Sequence, residues 1–187
     1  MTKLLPNLSR PQVALGISLM VSALLLLGAH GFERIGGMAP CLLCLDQREA
    51  HWAILAAGGM ALALRYGLGS GVRVLAAALG VLSLLYLVGG GLAGYHAGVE
   101  WGFWPGPEAC APDLREGLPA ADELFASLQA GAPPPSCSEA AWRMMGISMA
   151  GYNAIISFAL AGLTMLSCYR AAWGLREDRV GPGVPAE

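Results

Sequence analysis

The chain has 187 residues, about one domain's worth, with a net charge of −2 and Lys3 as its one lysine. Hydrophobic residues make up 56% and charged residues 13%, roughly half the usual charged share. That balance excludes a basic nucleic-acid surface and an ordinary water-soluble domain, and makes a bilayer the expected solvent.

Lys3 and Arg10 precede a first uncharged run, residues 11–32, which predicts a membrane span near 12–30. A cleaved signal peptide is the rival reading. Its apolar core is ordinarily about 7–15 residues long, shorter than this run, and His30, Gly31 and Phe32 offer no cleavage site. The second run, 50–64, is 15 residues long, short of the roughly 20 needed to cross as helix. Extending it back towards Cys44 predicts a span over 44–65, with Asp46, Arg48 and Glu49 at the interface. Arg65 and Arg73 flank the tight connection 66–72, and the run 74–99 predicts a third span near 73–95. The long segment 96–143 holds seven acids and, before Trp142, a single base, Arg115. Within it, 118–131 has the apolar spacing of a short helix, opened by Pro119 and closed by Gly131. Consecutive prolines then stiffen the approach to Cys137. The run 144–169 predicts a fourth span near 145–168, followed by Arg170, Arg176 and Arg179.

The expected fold is an all-α membrane protein. It is a single membrane domain over 1–187, a four-helix bundle with outward loops 31–43 and 96–143. Four spans put Lys3, Arg10, Arg65, Arg73, Arg170, Arg176 and Arg179 on one side, which the positive-inside rule makes cytoplasmic, with both termini. Trp101, Phe103, Trp104, Trp142 and Trp173 sit where interface anchors belong.

The chain has five cysteines. The expected topology puts Cys168 at the inner end of the last span, as a packing residue. Cys41, Cys44, Cys110 and Cys137 fall outside, where disulfides persist. A Cys41–Cys44 bond closes too small a loop to be an effective staple. Reactivity explains C-x-x-C better, because a helix N-terminus lowers a thiol's pKa, and Pro40 is a suitable start for that helix. Two other readings stay open. The four cysteines have the wrong spacing for an ordinary zinc site, so no metal is expected. Cys110 and Cys137 taken alone read as a staple of the long loop. Treated as helix, Cys41, Cys44, Arg48 and His51 share a sector of about 80°. Arg48 then either snorkels or pairs with Glu49, or serves an electron acceptor. With no flavin or nicotinamide motif present, a membrane quinone is the natural acceptor, and Arg48 is suited to bind its oxygen.

These segments resemble the DsbB family of bacterial inner-membrane disulfide bond formation proteins, over nearly the whole chain. The likeness rests on PCLLCLDQR (40–48), GYHAG (94–98), the two further outer cysteines, and CSEAAWRMMGISMAGYNA (137–154). It implies that Cys110 and Cys137 meet a periplasmic DsbA-like thioredoxin-fold protein, with Cys110 forming the mixed disulfide. Cys137 then passes electrons to Cys41, and Cys44 is the thiolate facing the quinone (ubiquinone or menaquinone), with Arg48 and His96 in the quinone site. Glu49 and His51 depart from the family pattern, which expects an apolar residue after Arg48. Three rivals remain at this stage. They are an oxidase for one specialised partner, a scaffolding tetraspan protein with stapled cysteines, and a conduit for cytoplasmic reductant. The last lacks a second inner cysteine.

Overall fold

The computed structural model describes residues 10–69, 71–107 and 136–180, with side chains through residue 175. The helix expected over 118–131, and Cys110, lie outside the described residues.

Four helices dominate: α1 (Pro11–Arg34), α2 (Leu42–Gly67), α3 (Val72–Glu100) and α4 (Met149–Val180). Each has a readable start. Pro11 opens α1, where its missing N–H costs nothing. Cys41 is the N-cap of α2, its sulfur accepting the Cys44 N–H, so the helix begins at Leu42, two residues later than a start at Pro40 implies. Ser148 caps α4 by accepting the Gly151 N–H at 3.2 Å. Just ahead of it, Arg143–Met144 pairs with Ile147–Ser148 as a two-residue hairpin. Met145 and Gly146 occupy its turn with φ of 51° and 81°, the left-handed pair such tight hairpins require. This hairpin replaces the first helical residues expected from 145. The third helix runs on to Glu100, so the start of the segment 96–143 is helical.

Helices α1, α3 and the 149–175 part of α4 are each long and apolar enough to cross a membrane. The second helix, 26 residues and about 39 Å long, matches them in length but not in hydropathy. Asp46, Gln47, Arg48, Glu49 and His51 account for the difference; Gln47, Arg48 and His51 are bonded inside the protein, while Asp46 and Glu49 are exposed.

The helices form a square in which neighbours pack along their lengths, α3 against α4 most extensively. Leu15, Ile54, Leu79, Leu82, Tyr86 and Leu160 fill the centre. The buried polar residues are mostly small hydroxyls, including Ser18, Ser22, Ser83, Ser157 and Thr164, while Leu24, Leu27, Met60, Leu84 and Phe158 face outward. A soluble bundle turns polar side chains outward. Small residues among the buried positions and large apolar side chains on the outer faces mark helices packed in lipid, and with three helices fit to cross a bilayer the chain is a multi-pass helical membrane protein. Cys168 packs against this core, its sulfur near Gly80, as a packing residue should. At one end of the bundle, Gly98 lets the Trp104 ring fold over α3. A Cβ there would lie 2.1 Å from the ring.

Candidate thiol site

The site lies at the end of the bundle where α2 begins and α3 ends. There Cys41, Leu43, Val99 and Cys137 form a buried cluster with Cys44 against it. Cys41 and Cys44 are free thiols with their sulfurs 2.8 Å apart, so only a short approach separates them from the roughly 2.05 Å of a disulfide. The hydrogen bond to Cys44, and then burial, push the Cys41 thiol well above its ordinary pKa. Cys137, almost completely buried, is disulfide-bonded and packs against Cys41 although 96 residues separate them in the chain.

A cavity of about 360 Å³ opens beside the dithiol. Leu24, Leu25, Gly28 and Phe32 form part of its apolar wall, and Cys41, Cys44, Arg48, His51 and His96 reach its polar end. The helical sector expected for Cys41, Cys44, Arg48 and His51 is thus a cavity wall. Arg48 pairs with Glu33 of α1 rather than with Glu49, and its Nη2 donates to the Ala29 carbonyl at 3.2 Å. A guanidinium has five N–H groups, so this pairing fixes it at the rim with donors to spare.

His96, 3% exposed, stands with Nε2 3.6 Å from Cys41 Sγ and 3.7 Å from the Glu100 carboxylate. The Gln47 amide donates to its Nδ1 at 2.9 Å. Beyond Gln47 the hydrogen bonds continue through the bundle. Asn153 Nδ2 donates to Gln47 Oε1 at 2.8 Å, and His51 Nε2 donates to Asn153 Oδ1 at 2.9 Å. His51 Nδ1 meets Ser22 at 3.2 Å, and Tyr86 lies 2.8 Å from the same hydroxyl.

This network gives partners to His51, which sequence reasoning placed on the sector of Cys41, Cys44 and Arg48 and marked as a departure from the family pattern. It also brings in Gln47, Glu33, Glu100 and Asn153, which that reasoning did not single out. Each had a faint signal. Gln47 is one turn beyond Cys44, Glu100 one turn beyond His96, Glu33 ends the first uncharged run, and Asn153 is the one amide in the fourth. Polar groups at membrane depth are functional by default. Asn153→Ala leaves the Gln47 oxygen and the His51 N–H without their partner. It is expected to cost about 1–3 kcal/mol of stability, measured as the unfolding midpoint in mixed micelles. An unchanged midpoint would show that these bonds are exchanged for others.

The donor atoms of Cys41, Cys44 and His96 lie within 4.8 Å of one another, a cluster that also suggests a metal. Zinc–thiolate bonds of about 2.3 Å would hold the sulfurs about 3.8 Å apart. The observed pair is spaced for a bond between sulfurs.

Known proteins agree with this chemistry. The family model for disulfide bond formation protein DsbB matches residues 11–167. A disulfide bond formation protein B from Methylococcus capsulatus is 29% identical over 162 residues, covering 83% of this chain and 92% of that protein. One from Pasteurella multocida is 30% identical over 151 residues, covering 79% and 77%. No solved structure matches the chain. With the family match spanning most of the molecule, the chain belongs to the DsbB family of disulfide bond formation proteins.

Proposed function

We propose that this protein is a thiol–quinone oxidoreductase of the bacterial inner membrane. It reoxidises the dithiol of a DsbA-like periplasmic thioredoxin-fold protein and delivers the two electrons to a membrane quinone. The observation that carries this reading is the dithiol itself, with sulfurs 2.8 Å apart at the polar end of an apolar cavity. The residues present fit a quinone. The cavity volume is at the small end of ligand pockets, its walls are apolar, and Arg48 supplies a fixed cation where a ring oxygen needs one. When bound, a quinone supplies a sink for two electrons and two protons.

The chain's own residues do the rest. Cys110 and Cys137 receive the partner's electrons by thiolate attack on their disulfide, Cys110 making the mixed disulfide. Cys137, packed against Cys41, passes them to the Cys41–Cys44 pair. Cys44 is the thiolate that faces the cavity, and Arg48 and His96 line its polar end. We read the whole chain as one membrane domain, with α2 as a fourth span whose polar residues are satisfied internally. Both termini are then cytoplasmic, and the four redox cysteines periplasmic.

The test is quinone reduction by purified protein in detergent, with a reduced thioredoxin-fold dithiol protein as donor. One quinone is expected to be consumed per dithiol oxidised. Folded protein that reduces neither a ubiquinone nor a menaquinone analogue would overturn the reading.

A further inference from the structure

One backbone carbonyl orients the hydrogen bonds of the site. The Leu43 carbonyl can only accept, so the Gln47 atom 2.9 Å from it is the amide nitrogen. The second N–H of that nitrogen meets His96 Nδ1, also at 2.9 Å. A neutral imidazole that accepts at Nδ1 carries its proton on Nε2. Nε2 stands 3.6 Å from Cys41 Sγ and 3.7 Å from the Glu100 carboxylate, and the ring also hydrogen-bonds the Cys137 backbone. Glu100 has a side chain only 5% exposed. Its Oε2 lacks a hydrogen-bond partner among the described residues, and the residue lines the cavity.

We propose that Gln47 is a positioning residue of the dithiol, holding His96 as a donor at Nε2 so that the ring stabilises a thiolate on Cys41. Glu100 and the Cys137 backbone are the alternative partners while Cys41 carries no charge. This deepens the dithiol role proposed above and rests on it. In disulfide exchange one S–S bond forms as another breaks, and the departing sulfur keeps the electron pair. When Cys110 bonds to Cys137 and the Cys41–Cys137 bond breaks, Cys41 departs with the electron pair, Nε2–H turns to that sulfur, and the ring keeps its proton throughout. The same tautomer withholds the Nε2 lone pair from a metal. Among the described residues, the other titratable or charged groups facing the cluster are few. Cys44 and Arg48 come from α2, and Glu139 stands at the cavity rim. Arg143 donates to the Glu100 backbone carbonyl at 3.0 Å.

The test uses full-length, quinone-free protein carrying Cys44→Ser and Cys168→Ala, which leaves Cys41 as the free thiol among the described residues. Two quantities are read. One is the His96 tautomer by nitrogen-15 NMR, assigned by signal loss in His96→Phe. The other is the rate of Cys41 alkylation by N-ethylmaleimide across pH, with the modified cysteine identified by peptide mass. The Nε2–H tautomer is expected before further change. Gln47→Met is expected to lose it and to slow Cys41 alkylation at neutral pH roughly tenfold, the weight of one hydrogen bond to a charged group. Should Gln47→Met fail to fold, Gln47→Glu keeps the shape and places an acceptor opposite Nδ1, so that Nδ1 becomes protonated. Asn153→Asp, which leaves the Leu43 anchor alone, is expected to keep the original tautomer. A native Nδ1–H tautomer, or a folded Gln47→Met with unchanged tautomer and alkylation rate, would overturn the proposal. Neither readout involves quinone or partner, so its failure is separable from a failure of the oxidoreductase reading.

Discussion

Replacing Cys44 with serine is expected to abolish quinone reduction, by at least about 1,000-fold, while leaving the helical bundle folded. The physical reason is electron count. Two electrons leave a dithiol only as its two sulfurs bond to each other, and among the described residues Cys44 is the one cysteine within reach of Cys41 that also lines the cavity. Serine occupies nearly the same space, and the Cys44 side chain caps nothing, so the fold has no reason to change. Cys41→Ser is expected to be equally inactive for the complementary reason, since it removes the sulfur that must bond to Cys44. It too should fold, because serine is a preferred N-cap and takes over the bond that Cys41 Sγ accepts from the Cys44 N–H at 3.3 Å. Circular dichroism and detergent-phase elution check the fold, and quinone absorbance checks the turnover. Residual turnover above roughly one part in a hundred in the Cys44 variant would place the electron exit elsewhere.

Arg48→Met is expected to raise the KM for quinone by roughly 10- to 100-fold with a smaller change in kcat, as removal of a charged hydrogen bond should. The pairing with Glu33 sharpens this expectation. A carboxylate on the same guanidinium competes with any quinone oxygen, so Glu33→Gln should act in the opposite direction and lower KM by a few-fold, the effect of weakening one competing bond. A surface anchor would respond to neither change. Arg48→Lys separates charge from geometry, because an ammonium keeps the charge but loses the planar fork. Equal KM values in the wild type and Arg48→Met would reduce Arg48 to a helix-pinning residue, held by Glu33 and the Ala29 carbonyl.

Both expectations use residues that the chain announces. Periodicity and uncharged length make four helices readable, because lipid demands long apolar segments with satisfied backbones. The C-x-x-C spacing and the helical phase of Arg48 and His51 are likewise local properties, and all four residues line one cavity. Hydropathy is least informative for α2, for a definite reason. Its polar residues look out of place until their partners on other helices are seen.

What folding added is nonlocal. Glu33 meets Arg48 from 15 residues away, Asn153 meets Gln47 from 106, and Cys137 packs on Cys41 from 96. Such pairings depend on helix rotation and register, which small residues at the interfaces permit but do not spell out. The order of hydrogen bonds from Leu43 through Gln47 to His96 is of the same kind. Membrane residence, helix count and the redox motif are written in the chain, since each follows from residues near one another. The partner of Arg48, the surroundings of His96 and the meaning of His51 come from the packed bundle, where distant side chains must satisfy one another without water.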